Sequence, residues 1–252
     1  MQTHVLGNGD HAVVCLSGWF GTAENWGPWT EYLDTENFSW IFLDYRGYGS
    51  RIDETGEYSL DEISADVCQV IDALEQEKIT LLGHSMGGIF IQRVMLDCVK
   101  RIDSLIGISP VPPSGTPLPP ELRQVFESAG GDADSRRTII DMTTGNQLTP
   151  QFLDLLVSEC MQKSQPEAVS AYFYQWADGD VSAELGVQTR PFKAIVGRND
   201  PAVGEDTVRA TYSPYWENLD VEVIESAGHY SMFETPALLA ARVIDFLEYP
   251  RT

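Results

Sequence analysis

The arrangement in this chain with the clearest chemical use is a serine set two residues from glycine on either side, Gly83-His84-Ser85-Met86-Gly87. A turn with that spacing is so sharp that the residues two before and two after its apex must be small, and the apex residue is held in a strained backbone conformation. The hydroxyl of Ser85 then stands clear of the main chain. Behind it the start of a helix offers unpaired N–H groups to a developing anion. The pattern alone is weak, because it arises by chance in roughly one chain in ten of this size. Its setting strengthens it. The apolar run Ile79-Thr80-Leu81-Leu82 reads as a buried strand, and a helical pattern from Ile89 to Leu96 follows directly.

A serine hydroxyl needs a base, and the base needs a partner that fixes its tautomer. The chain has four histidines. His84 adjoins the serine and leaves the turn in another direction, while His4 and His11 fall near the opposite end of the early strands. His229 remains, in Ala227-Gly228-His229 after the last strand-like run, and is the expected base. Asp200, in Gly197-Arg198-Asn199-Asp200-Pro201 after the run 192–196, is the expected orienting acid. Asp44 also ends a strand-like run, but it feeds a glycine turn and is expected to hydrogen-bond structurally. The oxyanion donors are expected to be the backbone N–H groups of Met86, next after the nucleophile, and Trp19, in the glycine-bracketed loop Ser17-Gly18-Trp19-Phe20-Gly21.

Positioning these groups takes a sheet. The runs 12–16, 39–44, 79–82, 104–108, 192–196 and 221–224 are mostly apolar or β-branched, and most read as strands covered on both faces. Helical patterns alternate with most of them; Ser59-Leu60-Asp61-Glu62 reads as a capping box, and a helix is expected to start at Trp26-Gly27-Pro28-Trp29. Strand–helix alternation implies right-handed crossovers and a mostly parallel sheet with helices on both faces, an α/β fold. Ligands of such sheets bind at the carboxyl ends of the strands, where the loops after Leu16, Asp44 and Leu82 should converge.

Between Pro110 and Pro191 the alternation stops. Helices are expected near 120–129, 135–143, 150–163 and 166–177, so the chain divides into a core of 1–110 and 191–252 and a helical cap of 111–190. A cap over the catalytic edge is the economical account of so long an insertion. Its aromatic residues Tyr172, Tyr174 and Trp176, with Phe20 and Tyr230 of the core, are candidate substrate contacts; a small core of the cap's own is the competing role for the cap residues.

Taken together, Ser17–Gly21, Asp44-Tyr45-Arg46-Gly47-Tyr48-Gly49-Ser50, Gly83–Gly88, Gly197–Asp200 and Ala227–His229 resemble the α/β-hydrolase superfamily, in the order Ser, Asp, His and over nearly the whole chain. Within it the chain is similar to small capped serine carboxylesterases and C–C-bond hydrolases. The resemblance implies an α/β-hydrolase fold with its helical cap inserted after the strand that follows the nucleophile helix. One departure is that the usual His-Gly of the oxyanion loop is Ser17-Gly18. A serine at the nucleophile position sets the chain apart from relatives that form ester intermediates on aspartate.

Composition bounds the rest. Thirty-eight acidic against 16 basic residues give a net charge of −22, which repels nucleic acid and anionic membranes. No run approaches a membrane span and no leader pattern opens the chain, so a cytoplasmic location is expected. Cys15, Cys68, Cys98 and Cys160 lie scattered in apolar patterns and are expected to be buried thiols, with no disulfide, metal or cofactor. The expected activity is hydrolysis of a small to medium, mostly uncharged carboxylic ester through an acyl-enzyme, by a monomer or homodimer. The alternatives are a C–C-bond hydrolase, a thioesterase or a cofactor-free perhydrolase and, from another class, a non-catalytic ligand-binding receptor.

Overall fold

Alternating side chains along each central strand feed two different apolar cores. In a computed structural model, which describes residues 3–250, Ala12, Val14 and Leu16 of β2 (His11–Leu16) face one core, and Val13 and Cys15 face the other. β3 (Phe38–Leu43) divides likewise, with Ile41 and Leu43 on the first side and Phe38, Trp40 and Phe42 on the second. This period of two with both faces apolar is what makes these runs look unbroken in sequence.

The sheet has seven strands in the order β1-β3-β2-β4-β5-β6-β7, where β1 is Thr3–Leu6, β4 Lys78–His84, β5 Ser104–Ile108, β6 Phe192–Gly197 and β7 Leu219–Ile224. Only the β1–β3 pair is antiparallel. The order reverses at β2, so β2 and β4 lie side by side and their carboxyl ends share one crevice, the switch point where open α/β sheets bind ligands.

The first core lies under α1 (Leu60–Ala73), α2 (Gly87–Asp97) and α8 (Glu205–Tyr212). The second lies under α10 (Pro236–Glu248) and a 3-10 turn at Pro28–Tyr32. Ser59 caps α1 by accepting the Glu62 N–H at 3.1 Å, and Glu62 reaches back to the Tyr58 N–H at 2.9 Å, one residue earlier than a strict capping box. The helix expected at Trp26–Trp29 is only that 3-10 turn. Gly27 has φ +70°, Leu33 is extended, and the Asp34 carboxylate accepts the N–H groups of Glu36 and Asn37, so the chain is turned back before a second helical turn forms.

Between β5 and β6 come α3 (Pro120–Ser128), α4 (Ala133–Thr143), α5 (Pro150–Gln162), α6 (Pro166–Ala177) and the single turn α7 (Ser182–Leu185). The four longer helices match the periodic segments of the sequence within about two residues. Thr149 caps α5 through the Phe152 N–H, with Pro150 at the first helical position. The helical segment shares the first core: Phe126, Ile139, Tyr172, Phe173 and Trp176 are continuous with Trp19, Tyr45 and Phe90. The unpaired-thiol expectation fails at one pair. Cys68 of α1 and Cys98 at the end of α2 are joined as a disulfide with their Cα atoms 6.3 Å apart, whereas Cys15 and Cys160 are free and buried.

Candidate active site

The turn between β4 and α2 carries the strain its spacing implies. Ser85 has φ +51°, a left-handed conformation that costs a non-glycine residue about 1–3 kcal/mol and persists only where the surroundings hold it. They do so here through three backbone hydrogen bonds. Ser85 N–H donates to Ile108 O at 2.9 Å, and Ser85 O accepts from Gly88 N–H at 2.7 Å and Val111 N–H at 2.9 Å. A Cβ on Gly83 would run into the Gly87 carbonyl oxygen, and one on Gly87 into the carbonyl oxygen of Leu16. Both glycines are therefore dictated by backbone approach.

His229 and Asp200 come together from the loops after β7 and β6. Nδ1 of His229 lies 2.6 Å from Oδ2 of Asp200, whose other oxygen accepts the N–H groups of Ala202 at 2.9 Å and Val203 at 3.1 Å. The Asp200 side chain is wholly buried. Burial alone would raise its pKa; the opposing pull of His229 and the two backbone N–H bonds outweigh it and hold the carboxyl below its ordinary value. A carboxylate on Nδ1 holds the proton there and turns Nε2 into the acceptor. Ser85 and His229 line one cavity. Among the described residues the Ser85 hydroxyl has no hydrogen-bond partner, and such contacts commonly tighten only when substrate is present.

The loop after β2 closes the other side. Tyr45 Oη donates to Ser17 O at 2.8 Å and Tyr48 Oη to Trp19 O at 2.9 Å, while the Trp19 indole N–H donates to Val169 O of α6 at 2.8 Å. Ser17 Oγ, at the position where histidine is usual, donates across the loop to Gly21 O at 3.1 Å. Among the described residues the backbone N–H groups of Trp19 and Met86 donate to no protein acceptor. Asp44 holds the adjoining loop, accepting from Ala23 N–H at 2.7 Å and from the Ser50 N–H and hydroxyl at 2.9 Å each.

The cavity encloses about 930 Å³, its open mouth included. Trp19, Phe20, Val111, Phe126, Ile139, Ile140, Leu156 and Trp176 give it apolar walls, Tyr230, Met232 and Phe233 also line it, and among the described residues no Lys, Arg, Asp or Glu does. Of the candidate contacts, Phe20, Trp176 and Tyr230 line the cavity. Tyr172 and Tyr174 do not, and both expectations are corrected. Tyr172 is buried against Tyr45, Tyr48, Tyr58 and Phe90, with its hydroxyl on Arg46 O at 3.2 Å. Tyr174 points outward, 46% exposed, beside the Arg123 guanidinium.

Three groups at this site carry no motif. His84 leaves the turn away from Ser85, and its Nε2 meets the backbone oxygen of His229 at 2.9 Å. Burial, with the neighbouring His229 ring, depresses its pKa to about 3, so it stays neutral. Arg136 of α4 is fully buried, donates to the carbonyls of Ala129, Gly130 and Cys160 and to Ser164 Oγ, and lies 5.3 Å over the Phe20 ring. Glu234 accepts backbone N–H groups on both sides of His229. Each is defined by a contact distant in sequence or by a turn too short to announce itself. Among the described residues there is no group of three or more potential metal ligands and no helix long and apolar enough to cross a membrane.

A parallel-rich sheet with a strained serine between β4 and α2, and a buried His–Asp pair at the same edge, defines the α/β-hydrolase class. Residues 13–242 match the model of the alpha/beta hydrolase family, and the chain belongs to that family. It is 27% identical over 258 residues to the pimeloyl-(acyl-carrier protein) methyl ester esterase of Pectobacterium carotovorum subsp. carotovorum (strain PC1), covering 98% of this chain and 97% of that protein. It is 26% identical to the 2-hydroxymuconate semialdehyde hydrolase of Pseudomonas sp. (strain CF600), over 82% of this chain and 75% of that one. In structure it resembles the esterase EaEST from Exiguobacterium antarcticum, with a TM-score of 0.86, 19% identity and coverage of 98% and 94%.

Proposed function

We propose that the protein is a serine hydrolase that cleaves a carboxylic ester of a small to medium, mostly uncharged substrate. The observation that carries this reading is that a strained serine and His229, which is held from behind by the buried Asp200, line one apolar cavity. In this reading His229 Nε2 takes the Ser85 hydroxyl proton as Oγ attacks the ester carbonyl. Asp200 holds the imidazolium, and the Trp19 and Met86 N–H groups receive the oxyanion. His229 then protonates the departing alkoxide, and a water activated by the same nitrogen releases the acid from the acyl-enzyme. Segment 111–190 acts as the cap, contributing walls through Val111, Phe126, Ile139, Ile140, Leu156 and Trp176.

Ester cleavage is supported over C–C cleavage by the walls. A substrate such as 2-hydroxymuconate semialdehyde carries a carboxylate before it is cleaved, which a neutral ester does not, and a buried anion needs a cationic or dense hydrogen-bonding partner. Among the described residues the cavity lining contains no Lys or Arg. A binding-only receptor has no use for a strained serine beside a buried His–Asp pair. The test is Ser85→Ala assayed on p-nitrophenyl butyrate, with fluorophosphonate labelling of the parent. Loss of at least about 10³-fold in kcat and labelling confined to Ser85 are expected. Undiminished turnover in the variant refutes the reading.

A further inference from the structure

We propose that Glu234 is a positioning residue for His229, clamping the backbone on both sides of the base in concert with His84 and with Thr143 of the helical segment. The proposal rests on the serine-hydrolase reading and goes beyond it. Glu234 ends the single turn α9 (Ser231–Glu234), five residues after the base. Its Oε2 accepts the Gly228 N–H at 2.8 Å and its Oε1 the Tyr230 N–H at 2.9 Å, so one carboxylate holds the backbone of the residues on either side of His229. The remaining polar groups of that residue's backbone are also held. His229 N–H donates to Thr143 O at 3.1 Å, and His229 O accepts from His84 Nε2 at 2.9 Å. Neutral His84 can donate there only as the Nε2–H tautomer.

The base is thereby tied to three parts of the molecule: its own turn, the strand that ends at the nucleophile, and the last turn of α4. The contact with α4 is close, since a Cβ on Gly228 would press on the Thr143–Thr144 backbone. Thr143 also lines the cavity with Ile139 and Ile140, so one face of the substrate wall and one anchor of the base are the same helix. The backbone is fixed, and the imidazole keeps only its side-chain torsions.

Glu234 brings charge as well as reach. The ionisable groups that face His229 are Asp200 on Nδ1, Glu234, His84 with its ring centroid 5.1 Å away, and Tyr230. Burial raises the Glu234 pKa above its ordinary value, and the Gly228 and Tyr230 N–H bonds and the nearby His229 offset that rise only in part. An ionised Glu234 favours the imidazolium that forms when His229 takes the serine proton. Removing that charge therefore makes His229 harder to protonate.

The experiment compares the parent with Glu234→Gln and Glu234→Asp in kcat, KM, pH profile, Tm and rate of fluorophosphonate labelling. Glutamine can accept one N–H and turns its NH₂ toward the other. For E234Q we expect kcat and the labelling rate to fall about tenfold or more, as for a charge-assisted hydrogen bond lost, with KM within about twofold. We also expect the acidic limb of kcat/KM to move to lower pH. Aspartate keeps the charge but falls short in reach, so kcat should drop while the acidic limb stays. A merely structural Glu234 would lower Tm and leave the labelling rate and acidic limb of E234Q where they were, and that result overturns the proposal. If E234Q does not fold, E234D with parental kcat and labelling overturns it instead. A parent that is not labelled at Ser85 refutes the serine-hydrolase reading itself, whereas a labelled parent with equally labelled variants refutes only the role of Glu234.

Discussion

Asp200→Asn is a sharp test of the proposed chemistry because the surroundings of the carboxylate dictate how an amide must sit. Oδ1 of Asp200 faces two backbone donors, Ala202 N–H at 2.9 Å and Val203 N–H at 3.1 Å, and Oδ2 faces His229 Nδ1 at 2.6 Å. An asparagine satisfies the two backbone donors only with its oxygen toward them, which turns its NH₂ toward Nδ1. That stabilises the imidazole with Nδ1 as acceptor and the proton on Nε2, the tautomer that cannot take a proton from Ser85. Flipping the amide restores the useful tautomer but leaves the buried Val203 N–H and the part-buried Ala202 N–H without this acceptor, at about 1–1.5 kcal/mol each. A total of roughly 2–3 kcal/mol leaves the competent arrangement near 1%. Loss of the negative charge that stabilises the imidazolium adds to this. The variant should therefore lose between about 10² and 10⁴ in kcat on p-nitrophenyl butyrate near neutral pH. KM should change little, and the fold should survive, because the amide is isosteric and two of the three hydrogen bonds persist. A D200N enzyme within tenfold of the parent, with an unchanged circular dichroism spectrum, refutes Asp200 as the orienting acid.

Two further outcomes follow from the walls and the ion pairs. Trp176→Phe removes part of an indole that lines the cavity and packs on Trp19 with ring centroids 5.4 Å apart. The ratio of kcat/KM for p-nitrophenyl octanoate over butyrate should rise about tenfold, the effect of one or two methylenes accommodated, and an unchanged ratio argues against Trp176 as an acyl wall. Asp66→Asn removes an acceptor of Arg51, whose side chain is 5% exposed and 2.8 Å from Asp66. Glu54 remains on Arg51, so the loss should be about 2 kcal/mol, a fall of roughly 4–8 °C in Tm for a chain of this size. Burial pushes the Asp66 pKa up, but Arg46 and Arg51 outweigh it and lower the pKa on balance, so its contribution is present above the unfolded carboxyl pKa of about 3.9 and lost as pH falls through the lower folded value. The Tm gap between parent and D66N should accordingly close below about pH 4; a gap that is constant down to pH 2 contradicts this account.

The central strands β2 to β6 were readable from sequence because they are largely apolar on both faces, a pattern that a surface helix or loop does not sustain. The helices of 111–190 were readable for a related reason: their apolar residues recur at helical spacing and Thr149-Pro150 marks a start. Ser85, His229 and Asp200 are brought to one sheet edge by the strand-end logic that selected them. What failed needed tertiary information. The run Trp26-Gly27-Pro28-Trp29 has helix-compatible apolar spacing, yet the left-handed Gly27 and the Asp34 turn stop it after five residues. Cys68 and Cys98 each fit an apolar helical face, and nothing at a separation of 30 residues reveals that α1 and α2 place them together.

The misplacement of Tyr172 and Tyr174 shows why a substrate wall is harder to read than a nucleophile. A triad is marked at the ends of strands, where the backbone itself sets the position. A wall is marked only by which face of a helix docks where. On α6, Tyr172 and Trp176 are four residues apart and so share a face, but they are separated by about 6 Å along the axis. That single turn is decisive. Trp176 reaches Trp19 and Phe126 at the cavity, while Tyr172 lies beyond its end against Tyr45, Tyr48 and Phe90. Tyr174 is about 200° round the helix from Tyr172 and faces out. The same docking places Thr143 of α4 on the backbone of His229. Helical periodicity alone could therefore locate α4 and α6 while leaving undetermined which of their residues line the cavity and which hold the His229 backbone.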